Sequence, residues 1–280
     1  TRAHDGTSVI STERLAPMRP AMVEKVRQPL EGVEVDVVVT ARDLNRSIPA
    51  LWQETLQNGR TWRYGEYLAG VEAWRPGHRE GVERPEAGRT FWRQLDLARI
   101  VTTWQDVFGA DRVTVITLPQ PGAPRDLLWE RFCSVVGIPH EGFQESRTPN
   151  GSLGAASAMA VRRMNELLLE SDLPFPRGGP LRKRILSKQV LAGRRKDEPS
   201  IGLDVAPWLD EQTRRIERAL DRLGVRVIGS VEELEPVAVP GIDPDTLDDA
   251  QVAEAAVAGL AGLVRLHAEV NGDTLSGFAP

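Results

Sequence analysis

Arg42 lies between a predicted buried strand and a predicted helix. Residues 33–40 alternate at first and then become continuously apolar, which is typical of a strand buried on both faces. Arg42 follows directly, and a helix is predicted from about Asn45 to Gln57. A guanidinium beside the free N–H groups of a helix start suits a phosphate. An ordinary ion pair of Arg42 with Asp43 or Asp36 is the alternative, and the sequence leaves both interpretations open.

A carboxylate follows another β-prone run. Residues 7–11 are predicted to form a short strand, and Glu13 comes just beyond it, followed by Arg14. A carboxylate in such a position can act as a general base. A surface or helix-capping carboxylate is the alternative. His4 and His78 are further candidates for the base, although one lies near the terminus and the other in a charged loop.

A cluster of basic residues stands out against the net charge of −5. Between residues 177 and 196 the chain has no acidic residue and eight basic ones, which are Arg177, Arg182, Lys183, Arg184, Lys188, Arg194, Arg195 and Lys196. Such a cluster suits a phosphate or an acidic acceptor, and the alternative is a solvated helix face. The negative net charge argues against a globally basic nucleic-acid binder.

Strands and helices alternate along the chain, which predicts a parallel sheet with helical crossovers. Two more strands are predicted at 112–118 and 225–228. The further predicted helices cover 21–30, 64–74, 91–108, 126–136, 155–169, 181–191, 209–223 and 251–270. Ligands of such sheets bind at the carboxyl ends of the strands, so we expect a site after Ser11, Thr40 or Leu118.

Two segments interrupt this alternation. Residues 60–90 combine Gly, Pro and charges and are predicted to be a lid or insertion, in which Trp62 and Trp74 are the aromatic residues expected to contact an acceptor or an adenine. Residues 231–249 are acidic and contain proline, which is typical of a linker.

Composition and missing motifs exclude several classes of protein. The 280 residues are 41% hydrophobic and 27% charged, as in ordinary globular proteins. A single cysteine, Cys133, excludes an intramolecular disulfide framework and a Cys-rich metal site. No apolar run approaches the ~20 residues of a membrane span, and no secretory segment is visible, so we expect a cytoplasmic protein without a membrane partner. Thr1 is not an initiator methionine, so we expect processing or residues upstream.

The strand, arginine and helix around Arg42 resemble an element of the sulfotransferases that use 3′-phosphoadenylyl sulfate. In that family, the arginine and a serine eight positions later hold the 3′-phosphate of the donor. Arg42 matches the arginine, but the eighth position is Ala50, and Ser47 lies one turn earlier. The segment TSVISTERLAP resembles the family's strand with Ser-x-Glu, in which Glu13 matches the acidic base.

The resemblance covers residues 7 to about 235 and is best with an actinobacterial-type branch. It is carried further by the segments FWRQLDLARIVTTWQDVFGADRVTVITLPQPG, DLLWERFCSVVGIP and NGSLGAASAMAVRRMN. It implies an α/β fold of the P-loop NTPase type, with three α/β/α layers around a parallel sheet, incomplete at the N-terminus and helix-rich in its C-terminal half. The implied organisation is a domain over 1–235 with the lid at 60–90, an acidic linker over 236–250, and an amphipathic helix and tail over 251–280.

The resemblance also implies a function. The chain would transfer a sulfuryl group from 3′-phosphoadenylyl sulfate, without a metal, to a hydroxyl or amine of a small molecule or glycan. Glu13 would be the base, Arg42 and Ser47 would meet the 3′-phosphate, and Arg182 and Lys183 would add donor contacts.

The family's signature loop, Lys-[Ser/Thr]-Gly-[Ser/Thr]-[Ser/Thr], does not occur in this sequence, and we expect it upstream of Thr1. The missing loop and Ala50 leave an alternative open, a non-catalytic nucleotide- or partner-binding module on the same fold. A phosphoryl-transfer enzyme would need a Walker-type loop and Mg²⁺ ligands, which the sequence lacks. The oligomeric state is not indicated.

Overall fold

The computed structural model describes residues 6–78, 85–143, 151–171 and 179–271. Its sheet has three parallel strands in the order β1-β2-β3, which are β1 (Val37–Ala41), β2 (Val113–Thr117) and β3 (Arg226–Ile228). Val37 pairs with Val113, and Thr114 pairs with Arg226. All five residues of the central strand β2 are buried, as expected for a strand with a neighbour on each side. The prediction of an α/β chain with a parallel sheet is confirmed.

Helices make up most of the rest of the described residues. The α-helices are α1 (Pro20–Arg27), α2 (Leu44–Gln57), α3 (Tyr64–Ala73), α4 (Glu86–Leu95), α5 (Leu97–Phe108), α6 (Leu127–Val136), α7 (Ala155–Glu170), α8 (Pro207–Leu223) and α9 (Asp249–Asn271). A π-helix covers Leu181–Val190, and a 3₁₀-helix follows at Leu191–Asp197.

Three predicted elements differ from the observed ones. The strand predicted at 7–11 is wrong, because these residues pair with no strand among the described residues and their side chains are exposed, with Ile10 at 71%. The predicted helix 91–108 is two helices, because the chain turns at Asp96, whose carboxylate caps α5 by accepting a hydrogen bond from the Arg99 amide at 3.2 Å. The strand predicted from residue 33 begins only at Val37, and Val33 is 39% exposed. It is also not buried on both faces as predicted, because β1 lies at the edge of the sheet, with Val37 to Val39 half-buried and Thr40 exposed.

The chain divides into two compact units. The sheet unit contains residues 1–47, 69–145 and 205–237, and the helical unit contains residues 48–68, 146–204 and 238–280. In the sheet unit, α5 packs on β1 and β2 and also contacts α1 and α8, while α6 packs on β2. Within α5, the side chains of Ile100 and Trp104 are buried in this packing.

In the helical unit, α7 packs against α9, and the π-helix packs against α9 as well. Ala156, Ala160 and Ala255 form a buried cluster between α7 and α9. Residues that were predicted to form a linker are paired here, since Val239 and Ile242 form backbone bridges with Leu203 and Ile201. No helix of the described residues is both long enough and apolar enough to cross a membrane.

The described part of the predicted lid contributes buried side chains. Tyr64 and Tyr67 at the start of α3 are at most 1% exposed in the helical unit. In the sheet unit, Gly70 of α3 and Gly88 of α4 touch so closely that a Cβ on Gly88 would lie 2.0 Å from the Gly70 carbonyl oxygen. Only glycine permits this approach of two helices.

Candidate functional site

Arg42 lies immediately beyond β1, where its side chain contacts the first turn of α2. Its Nε donates a hydrogen bond to Ser47 Oγ at 3.3 Å, and its Nη2 donates to the Arg46 carbonyl oxygen at 3.0 Å. Both acceptors are neutral. The structure therefore brings the predicted pair Arg42 and Ser47 together at the carboxyl edge of the sheet.

The two carboxylates considered as ordinary partners of Arg42 are engaged elsewhere. The carboxylate of Asp43, fully buried, accepts hydrogen bonds from the Arg46 amide at 2.9 Å and from Arg46 Nε. Asp36 accepts a hydrogen bond from Arg112 Nη1 at 3.2 Å. Within the described residues, no carboxylate forms an ion pair with Arg42, so the ion-pair alternative is wrong.

Arg46 links the chain after β1 to the chain after β2. Its Nη1 donates to the Pro119 carbonyl oxygen, just after β2, at 3.1 Å. Its Nη2 is buried and has no hydrogen-bond partner among the described residues. The Asp43 carboxylate is bonded to Arg46, while its charge also acts on Arg42, so one carboxylate faces two neighbouring guanidinium groups.

The electrostatics of Arg42 agree with this excess of positive charge. Burial lowers the pKa of Arg42, the charge of Arg46 lowers it further, and Asp43 acts in the opposite direction. An oxyanion bound beside Arg42 would offset the cost of burying this charge, and a guanidinium fork can donate two parallel hydrogen bonds to it.

Ser47 contributes through its lone pairs. The side chain is 5% exposed, and its hydroxyl donates to the Asp43 carbonyl oxygen at 2.8 Å. Because that proton is engaged, Ser47 Oγ accepts from Arg42 and orients the guanidinium instead of donating to a ligand. Ala50, which stands at the family's serine position in α2, is exposed and has no hydroxyl.

A second polar cluster lies at the same edge of the sheet, at the ends of β2 and β3. Arg131 of α6 forms two hydrogen bonds to the Glu233 carboxylate at 2.6 and 2.9 Å, and Thr117 donates to the same group at 2.5 Å. Burial alone would raise the pKa of Glu233, but the hydrogen bonds from Arg131, Thr117 and the Ser230 amide outweigh it and lower the pKa to about 2.

This cluster links the ends of β2 and β3, and the charge of Arg131 is balanced by that of Glu233. Gly229 lies within it at φ 101°, and a Cβ there would come within 2.1 Å of Thr117 Oγ1. The sequence did not predict this cluster, although Ser230 and Glu233 form a capping box whose Ser-x-x-Glu spacing is visible in the sequence. No comparable signal pointed to Arg131.

Glu13 begins a 3₁₀-helix, Glu13–Leu15, capped by Thr12, whose hydroxyl accepts from the Arg14 amide at 3.3 Å. Its side chain is exposed and forms no hydrogen bond or ion pair within the described residues. Residues 6–12 form no strand, so Glu13 does not lie at the end of a strand as predicted. The assignment of Glu13 as base stays a prediction that rests on the resemblance.

Arg182 and Lys183 belong to the helical unit. Arg182 is 6% exposed, and its Nε donates to the Gln57 carbonyl oxygen at 3.0 Å, at the end of α2. Burial lowers its pKa. Lys183 pairs with the Glu54 carboxylate. Both residues thus contact the last turns of α2, and donor contacts from them stay a prediction.

The remaining candidate residues do not belong to the cluster around Arg42. Trp62 stacks on Tyr67 with ring centroids 6.3 Å apart, and the Arg60 guanidinium lies 5.2 Å from its ring. His78 is exposed, while His4 and Arg177 lie outside the described residues. In the part of the chain that the structure describes, no group of three His, Cys, Asp or Glu residues could hold a metal ion.

The amino end of the sheet has a pocket, but its lining differs from that of the carboxyl end. This pocket of about 440 Å³ is lined by apolar and paired charged residues, among them Leu30, Val107, Phe108, Glu34 and Arg112. It does not include any of the predicted site residues.

No family model, curated protein or solved structure matches this chain. The sulfotransferase family therefore stays a prediction that rests on the resemblance of the sequence segments.

Proposed function

We propose that the chain carries the 3′-phosphate side of a donor site for 3′-phosphoadenylyl sulfate and serves in sulfuryl transfer to a hydroxyl or amine acceptor. The observation that carries the proposal is Arg42, a partly buried guanidinium at the carboxyl end of a parallel strand, with no carboxylate partner among the described residues. A bound phosphate would supply the missing negative charge.

The neighbouring residues support this assignment by their contacts. Ser47 fixes the Nε side of Arg42, and the Arg46 carbonyl oxygen fixes one terminal nitrogen. The buried Nη2 of Arg46, without a partner among the described residues, adds a second cation beside the same helix start. Arg42, held by neutral acceptors, and Arg46, which is paired with Asp43, would together form a preorganised anion site.

Transfer requires more than this anion site. A base must take the acceptor's proton, and cations must balance the charge on the sulfuryl group in line with the acceptor. Glu13 is the proposed base, and Arg182 and Lys183 are proposed further donor contacts. The phosphosulfate side requires the family's loop, which this sequence does not contain. The proposal includes a P-loop-like three-layer fold, a small-molecule or glycan acceptor, no metal and a cytoplasmic location.

A second candidate function is a non-catalytic binding module on the same fold. The exposed methyl group of Ala50 in place of a serine favours it, and so does the Glu13 carboxylate, which has no hydrogen bond or ion pair within the described residues. Both functions use the anion site at Arg42, and they differ in turnover.

Calorimetry with two nucleotides tests the anion site from the ligand side. The full chain is titrated with 3′,5′-adenosine diphosphate and with adenosine 5′-monophosphate, which lacks the 3′-phosphate. We expect the diphosphate to bind at least about tenfold more tightly, since charge-assisted hydrogen bonds contribute about 1.5–3 kcal/mol. Equal affinities, or no binding of the diphosphate, would contradict the proposal.

A substitution of Glu13 separates the two functions. In a chain that sulfates a test acceptor, Glu13→Ala is expected to keep donor binding and to lose most turnover, because the acceptor's proton has no base. Unchanged turnover would exclude Glu13 from that role. Donor binding without turnover in the wild type would favour the binding module.

A further inference from the structure

Three large apolar side chains of α9 are exposed on one side of the helix. Val257, Leu260 and Val264 are 65%, 64% and 70% exposed. Their spacing of three and four residues aligns them in one stripe. Exposed alanines adjoin the stripe at Ala253, Ala256 and Ala261. We call this surface the α9 stripe.

The opposite side of α9 already holds the helix in its own unit. Ala255 is fully buried, and a Cβ on Gly262 would lie 2.2 Å from Val190 Cγ1 of the π-helix. Leu260 follows Ala255 by five residues, which turns it about 140° around the helix axis. The α9 stripe therefore lies away from the buried side, and its apolar surface is not used in the packing of the described residues.

Two opposite charges flank the α9 stripe on the same side. Glu254 and Arg265 are eleven residues apart, which is about three turns and roughly 16 Å along the helix axis. Both are exposed, and Glu254 at 78% also accepts a hydrogen bond from Arg194 at 3.4 Å. Leu260 lies near the midpoint between Glu254 and Arg265, so the charge pattern reverses about the centre of the stripe.

We propose that the α9 stripe is a self-association surface, on which two copies of this chain pair through antiparallel α9 helices. A two-fold axis perpendicular to the helix at Leu260 places Leu260 against its equivalent and Val257 toward Val264 of the second copy. The same axis places each Glu254 opposite Arg265 of the second copy, twice per dimer. A closed symmetric dimer of this kind is self-complementary in both shape and charge.

The charges select the antiparallel orientation. Residues on one flank of a helix meet the same flank of an antiparallel partner, so Glu254 and Arg265 attract each other there. In a parallel pair that flank faces the opposite side, and the two charges do not meet. Because the charges reverse about Leu260, the α9 stripe is complementary to a second copy of itself. This proposal does not depend on the proposed sulfuryl transfer.

Sedimentation equilibrium of the full chain tests the association. We expect a concentration-dependent dimer that is weak, because a single pair of helices buries a small area. Leu260→Lys places two like charges at the axis and is expected to weaken the dimer at least tenfold. Val270→Lys, on the same helix but outside the stripe, is the control and should leave the dimer unchanged. A monomer at every concentration, or a dimer indifferent to Leu260→Lys, would overturn the proposal.

A charge exchange tests the flanking pair. Glu254→Arg or Arg265→Glu alone creates two like-charge contacts and is expected to weaken the dimer about tenfold, while the double variant restores it. Failure of the double variant to recover the dimer, in folded protein by circular dichroism, would contradict the pairing.

Single cysteines test the orientation. Leu260→Cys should form an intermolecular disulfide under oxidation, because the residue faces its equivalent at the axis. Ala253→Cys should not, because its equivalent lies roughly 21 Å away along the antiparallel pair. The native Cys133 is 2% exposed and gives little background. Disulfides at both positions would indicate a parallel dimer and overturn the antiparallel assignment.

Discussion

An arginine lies at each end of the small parallel sheet, and the two differ in burial and in their partners. At the amino end, Arg112 is 41% exposed and pairs with two carboxylates, Glu34 at 2.5 Å and Asp36 at 3.2 Å. At the carboxyl end, Arg42 is partly buried and has only neutral acceptors among the described residues. The more exposed arginine, Arg112, has two directly bonded carboxylates, whereas the more buried Arg42 has no directly bonded carboxylate among the described residues.

Stability alone would favour the reverse arrangement. Burial of a charge without a partner costs free energy, whereas exposed ion pairs contribute little. Such an arrangement is typical of a site that completes its charge balance with a ligand. This difference supports the proposal that the carboxyl end of the sheet binds the ligand, and the following variants test the proposal from the largest expected effect to the smallest.

Loss of the Asp43 charge should have the largest effect on stability. Asp43→Asn leaves two guanidinium groups beside each other without a carboxylate, and we expect a loss of about 3 kcal/mol in the free energy of unfolding, measured in urea. Added phosphate should restore part of it, because the anion replaces the lost charge. Asp36→Asn at the exposed end is the matched control and should change stability little. Equal losses in the two variants would contradict the difference between the ends.

Substitution of Glu233 should have the next largest effect. Glu233→Gln is expected to cost about 2 kcal/mol, since it weakens the charge-assisted hydrogen bonds from Arg131. The lowered pKa of Glu233 stabilises the fold above the ordinary value of 4.5, and this contribution is lost as the pH falls toward about 2. The variant should therefore show less acid destabilisation between pH 4.5 and 2 than the wild type.

The control for this prediction lies at the amino end of the sheet. The hydrogen bond from Arg112 lowers the pKa of Glu34, but Glu34 is exposed. Glu34→Gln should leave the acid dependence close to that of the wild type. Acid unfolding curves that coincide for wild type and Glu233→Gln would show that the network contributes nothing.

Removal of the Arg42 charge should have the smallest effect on stability. Arg42→Met keeps much of the apolar stem and removes a partly buried guanidinium that is repelled by Arg46, so the unfolding temperature should be unchanged or slightly raised. Arg131→Met is the contrasting variant, because it leaves Glu233 without its cation, and should destabilise by about 3 kcal/mol. A large loss of stability in Arg42→Met would indicate a structural role for Arg42.

Much of the secondary structure follows from the sequence, because hydrophobic periodicity reports burial. The predicted strand around residues 33–40 and the helix around 45–57 correspond to β1 and α2. The apolar run of the strand overstated its burial, because β1 lies at the edge of the sheet and Thr40 is exposed. The strand at 7–11 failed because β propensity does not supply a partner strand. The break at Asp96 was missed because a capping side chain interrupts an otherwise continuous apolar pattern.

The site was predictable only in part. The sequence places Arg42 beside Ser47 because the two are five residues apart across a strand–helix junction, and the contact is local. Whether Asp43 pairs with Arg42 or with Arg46 depends on side-chain geometry, which the sequence pattern does not show. The contact of Arg182 with the end of α2 joins residues 125 positions apart, and no sequence spacing indicated it.

Calorimetric titration of the full chain with 3′,5′-adenosine diphosphate, in wild type, Arg42→Ala and Arg112→Ala, tests the central claim most directly. The account predicts that Arg42→Ala loses at least tenfold in affinity while Arg112→Ala binds as the wild type does, since the exposed arginine is already paired. Binding that is unaffected by Arg42→Ala, or equally weakened by both substitutions, would contradict the assignment of the carboxyl end of the sheet as the anion site.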